Sequence, residues 1–166
     1  MEQNVTSFNE IYERYSPDVY RFAYWLCGNA DDAKDITSET FVRIWTSETE
    51  TKSETVKAYL FTIARNLFLH QKRKMNRFSP ITDAIAETAS QPEHNADERS
   101  DLEQTMTAIQ TLPEIERTVL LLRAENELSY EEIATMTGLT VSLVKVKLFR
   151  ARKKLFLLTS HTKGDI

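Results

Sequence analysis

The sequence predicts an all-α protein: two small helical domains joined by a flexible acidic linker, the second a four-helix helix-turn-helix domain. Three observations carry that expectation. The 166 residues include only 3 Gly and 4 Pro, too few breakers for an all-β sandwich, against abundant Glu, Lys, Ala and Leu. An acid-rich stretch poor in large apolar residues interrupts the chain after residue 79. A full set of helix start and stop signals lies between Ser129 and Leu155. The expected division is 1–79, a linker 80–101, and 102–166.

The first helix is expected to open at SPDVYRFAYWLCG, with Ser16 as cap and Pro17 at its first position, and to close at Gly28. In NADDAKDITSETFVRIW, helical spacing turns Ala33, Ile36, Thr37, Thr40, Phe41 and Ile44 inward, and Asp35, Ser38, Glu39 and Val42 outward. Asp31, Asp32 and Asp35 suit the early turns because the positive end of the helix dipole favours anions. The third helix, VKAYLFTIARNLFLHQKRK, buries Val56, Leu60, Ile63, Ala64 and Leu67. A second stripe carries Tyr59, Asn66, His70 and Arg73, and a third carries Lys57, Phe61, Arg65, Phe68 and Lys72. Rings interleaved with bases suit melted DNA, where bases stack and cations track the backbone; packing in a core is the other reading of Phe61 and Phe68.

Between Ile81 and Glu103 stand seven acids and one base, Arg99, a composition that cannot bury enough apolar surface to offset the cost of ordering. Beyond it, TAIQTLPEIERTVLLLRAENEL supplies two helices, with Pro113 near the start of the second. Ser129 and Glu132 form a capping box, Gly138 ends that helix, Leu139 packs the turn and Thr140 caps the last helix. On that last helix Val144, Leu148, Ala151 and Leu155 share a narrow core stripe. Ser142, Lys145, Val146, Phe149, Arg150 and Lys153 lie opposite, with Lys147, Arg152 and Lys154 on the flanks. Bases mixed with exposed apolar groups suit the major groove, where Lys and Arg address guanine edges and apolar groups meet thymine methyls.

The net charge of −4 argues against a nucleic-acid partner only until its distribution is read. Residues 65–77 carry five bases and no acid, and residues 145–154 carry six and no acid, so each domain holds one anchoring point for a polyanion. Cys27 is the sole cysteine, and with three dispersed histidines (His70, His94, His161) it forms neither a disulfide framework nor a metal site. No phosphate-cradling glycine loop or Cys-His pairing points to an enzyme, so no catalytic residue, metal or cofactor is expected. The absence of a signal peptide or an apolar run of ~18 residues gives a reduced, cytoplasmic protein as the expectation, without membrane insertion.

These segments together resemble the extracytoplasmic-function (ECF) sigma factors, the short group of sigma-70-type initiation factors. DAKDITSETFVRIW resembles region 2.2, KAYLFTIARNLFLHQKRK regions 2.3 to 2.4, and LSYEEIATMTGLTVSLVKVKLFRARKKL region 4.2. The resemblance implies that Asp35, Ser38 and Glu39 dock on the clamp coiled coil of the polymerase beta-prime subunit. It implies minus-10 recognition by Tyr59, Asn66, His70 and Arg73, with the loop from Thr46 to Thr55 helping to capture an extruded base. It implies minus-35 recognition by Ser142, Lys145, Val146, Lys147, Phe149, Arg150 and Arg152. Core RNA polymerase, including its beta flap, promoter DNA and an anti-sigma factor are the implied partners. Ser38 stands where the family usually has Gln, and Tyr59 where it usually has Trp. The competing expectation is a stand-alone helix-turn-helix activator or repressor whose N-terminal half senses a signal or dimerises.

Overall fold

The computed structural model describes residues 7–47, 56–78 and 97–163. Seven α-helices make up this part of the chain: α1 (Phe8–Cys27), α2 (Ala30–Thr46), α3 (Val56–Phe78), α4 (Asp97–Thr111), α5 (Glu114–Leu120), α6 (Tyr130–Thr137) and α7 (Val141–Lys163). A single π-helical turn, Leu121–Glu125, extends α5. The first three helices pack on one another, and α4–α7 form the four-helix unit that holds the helix-turn-helix. Most of the expected linker and the loop residues 48–55 lie outside the described residues; α4 already begins at Asp97, five residues ahead of the expected domain start at Leu102.

Local signals set most boundaries. Asn29 Oδ1 accepts from the Asp32 amide (3.1 Å) and starts α2. Ser129 and Glu132 cap α6 reciprocally, the Glu132 amide donating to Ser129 Oγ (3.1 Å) and the Ser129 amide to Glu132 Oε1 (3.1 Å). Gly138, at φ 75°, ends it, and the Leu143 amide donates to Thr140 Oγ1 (3.2 Å) to begin α7.

The start of α1 differs from the expectation. Ser7, not Ser16, is the cap, and Pro17 sits inside the helix. A proline there forgoes one backbone hydrogen bond. The preceding turns are held by tertiary packing instead: Ile11 is buried, and Phe8 and Tyr12 meet Phe41 and Trp45 of α2 at ring-centroid separations between 4.7 and 6.4 Å.

The two halves share one buried apolar cluster, in which Phe22, Leu26 and Phe61 are continuous with Leu112, Val119, Leu122 and Ile133. Polar contacts rim this seam. Arg117 of α5, only 7% exposed, donates to the carbonyls of Leu26 (2.7 Å), Ile109 (3.1 Å), Gln110 (2.9 Å) and Leu112 (3.0 Å). Those oxygens terminate α1 and α4, where orphan carbonyls and the negative dipole ends attract a cation. Burial draws the Arg117 pKa below the ordinary arginine value, a shift that Glu114 opposes. Gln110 Nε2 donates to Trp25 O (2.7 Å) beside Gly28, where an added Cβ would meet the Gln110 side chain at 3.0 Å. At the other end, Arg65 of α3 pairs with Glu114 through two contacts (3.0 and 3.3 Å), and Lys57 Nζ donates to Asn126 O (2.7 Å).

Candidate nucleic-acid interface

Three outward faces emerge, one each on α2, α3 and α7. On α2, packing of Ala33, Ile36, Thr40, Phe41 and Ile44 leaves Asp35, Ser38, Glu39 and Val42 exposed on the opposite side. Trp45, 67% exposed, extends this face toward the Phe8 ring (4.7 Å). The structure thus brings the three expected docking residues together and adds an aromatic group whose signal, an exposed Trp at the end of an amphipathic helix, was present in the sequence.

On α3, Asn66, His70 and Arg73 are exposed along one stripe, and Tyr59 is at the edge of exposure. Arg43 of α2 lies across from them. Of the two readings of Phe61 and Phe68, the structure selects core packing. Phe61 is fully buried against Phe22 (centroids 5.0 Å apart), and Phe68 is 8% exposed. Their stripe faces the C-terminal half, so its cations Lys57 and Arg65 contact protein. Only Lys72 of that stripe stays exposed.

On α7, Val144, Leu148 and Ala151 are buried and Leu155 half-buried. Ser142, Lys145, Val146, Phe149, Arg150 and Arg152 point outward, and Lys147 is half-buried. Phe149 leaves 67% of its surface in solvent, apolar area whose burial against a partner would be favourable. Tyr130 of α6 organises two cations, lying 4.3 Å from the Arg123 guanidinium carbon and 5.4 Å from Lys145 Nζ. Lys154 is tied back to the buried Glu116 of α5 (2.9 Å), so it braces the helix-turn-helix rather than its outer face. Glu116 and Arg117 were not singled out by periodicity, because charged residues on a short helix read as solvated.

Among the described residues no group of three or more His, Cys, Asp or Glu side chains converges, and no helix is long and apolar enough to cross a membrane. Cys27 is half-buried; burial raises its thiol pKa.

The Sigma-70 region 2 family matches residues 11–78, and the Sigma-70, region 4 family matches residues 102–155. The ECF RNA polymerase sigma factor EcfG of Rhodopseudomonas palustris is 36% identical over 142 residues, covering 84% of this chain and 77% of that protein. The chain belongs to the ECF RNA polymerase sigma factors. SigE of Mycolicibacterium smegmatis, another ECF sigma factor, is 32% identical over 157 residues; this sigma factor spans 60% of its length. The sigma factor RpoE of Bartonella quintana, solved in complex with the anti-sigma factor NepR, superposes with a TM-score of 0.75 at 29% identity, covering 96% of this chain and 98% of that one. In this frame α1–α3 are sigma region 2 and α4–α7 contain sigma region 4, which favours an initiation factor over a stand-alone regulator.

Proposed function

We propose that this sigma factor binds core RNA polymerase through Asp35, Ser38 and Glu39 and directs it to promoters by two DNA contacts. Asn66, His70 and Arg73, flanked by Tyr59, take the minus-10 element as its strands separate. Ser142, Lys145, Val146, Phe149 and Arg150 address the minus-35 element in the major groove, with Lys147 and Arg152 nearer its phosphates. The observation that carries the reading is the segregation of charge by helix: an acidic, apolar-edged face on α2, and cation-bearing faces on α3 and α7, all exposed together. Acid on α2 complements an arginine-bearing clamp, whereas Arg150 and Lys145 complement guanine edges. Catalysis remains with the polymerase; the sigma factor acts in the cytoplasm and is held in check by an anti-sigma protein that covers these faces.

Engaging both elements requires the seam between the modules to part. Elements named for positions minus 10 and minus 35 lie about 25 base pairs, hence roughly 85 Å, apart at ~3.4 Å per base pair. A compact body of 166 residues has a radius of gyration of roughly 15 Å, hence a width of about 40 Å. The 79–96 segment reaches at most ~60 Å when fully extended, so separated modules cover the distance and docked ones do not. Polymerase binding would then supply the free energy that parts Arg65 from Glu114 and Arg117 from Leu26.

Reconstitution with core polymerase, followed by mapping of transcript starts, tests this function. Asp35→Arg is expected to abolish promoter-specific transcripts at every promoter, and Arg150→Ala to depress only those that depend on the upstream element. Full transcription by Asp35→Arg would refute the docking assignment.

A further inference from the structure

A groove of about 320 Å³ opens between α2 and α3, lined by Arg43 from the first and by Asn66, Leu67, Leu69, His70 and Arg73 from the second. We propose that it seats one backbone phosphate of the minus-10 strand with its nucleotide, and that Arg43 is a DNA-positioning residue acting opposite Arg73. The proposal rests on the promoter reading above and adds a residue and a ligand site to it. Among the described residues, two guanidiniums, an imidazole and a carboxamide line the groove, and no carboxylate does. That donor set selects an anionic, acceptor-rich group, and guanidinium forks match a phosphate in two directions at once. Leu67, buried, and Leu69, half-buried, give an apolar floor on which a sugar or base can rest. The volume lies at the low end of the range for small-molecule sites, a size for one nucleotide.

Arg43 is available for this task. Its Nε lies 3.6 Å from Glu39 Oε1, one helical turn back, and both side chains are more than half exposed. A surface pair at that distance holds neither partner firmly. Glu39 can therefore serve the polymerase while Arg43 turns to the groove, which places the protein contact and the DNA contact on adjoining turns of α2.

The test uses holoenzyme reconstituted from the full chain and core polymerase, binding a fork DNA that carries the minus-10 sequence of a mapped promoter with a single-stranded non-template tail. Affinity is measured across a salt series. Arg43→Ala is expected to weaken binding about tenfold at low salt and to flatten the slope of log K against log[salt] by about 0.7 to 0.9, the loss of one phosphate contact. Arg43→Lys should keep most of the slope while losing affinity, because an ammonium supplies the charge without the fork. Unchanged slope and affinity in Arg43→Ala overturns the assignment. So does weakened binding to core polymerase with DNA affinity intact, which would make the groove a seat for a protein carboxylate. A wild-type holoenzyme that ignores the fork refutes the parent promoter reading, a separate and visible failure.

Discussion

Along α3, Asn66, His70 and Arg73 face outward beside an open groove, whereas Lys57, Phe61, Arg65 and Phe68, a stripe of similar chemistry on another side of the helix, are drawn into the seam with the C-terminal half. Both stripes mix cations with groups able to stack or hydrogen-bond. What separates them is the partner. Phe22 of α1 packs on Phe61 within the buried cluster shared by the two halves, and Glu114 and the Asn126 carbonyl satisfy the two cations on either side. With the seam closed, a basic-aromatic stripe is thus open to nucleic acid only where no other part of the chain completes it.

The largest expected effect breaks the comparison at its apolar centre. Phe61→Ala should destabilise the protein by about 3–5 kcal/mol in urea unfolding, because it empties a packed site. His70→Ala should stay within about 0.5 kcal/mol, as exposed substitutions do, while weakening minus-10 binding. If Phe61→Ala kept full stability and lost DNA affinity, the covered stripe would be a stacking platform after all. Arg117→Ala follows in size. It leaves four helix-terminal carbonyls without their donor, at a cost of about 3 kcal/mol, and the thermal midpoint should fall accordingly.

Glu114→Gln sharpens the comparison more gently. It preserves shape and removes one charge from the Arg65 pair, so about 1 kcal/mol of seam stability should go. Amide exchange should quicken in α5 and at the end of α1 while α2 is unaffected; uniform behaviour across all helices would mean that the pair does not hold the seam. Cys27 gives the smallest effect. Its pKa is raised by burial, so alkylation near neutral pH should be slower in the native protein than in urea. The sign follows: native structure favours the neutral thiol, a contribution complete below the ordinary value of 9.0 and lost as pH climbs through the higher native value.

Much of the architecture was legible locally. The capping box at Ser129, the left-handed glycines 28 and 138, and the core stripe Val144–Leu148–Ala151 all depend on residues within a turn or two of one another. The exposed faces of α2 and α7 followed from the same periodicity. The start of α1 did not: the Ser16–Pro17 signal is real chemistry, but Phe8, Ile11 and Tyr12 gain more by packing against α2 than the chain loses at one proline.

By itself, then, the order of residues determined most helical segments apart from the first turns of α1, which side of each helix is apolar, and where charge collects, since these depend on spacing along one strand of chain. Tertiary structure alone decided that Arg117 lies between two helix ends, that Arg65 answers Glu114, and that Arg43 stands across a groove from Arg73. Those pairings join residues 30 to 91 positions apart. A guanidinium carries no local mark of which distant carbonyl, carboxylate or phosphate it will meet; only the packing of one helix against another sets that distance.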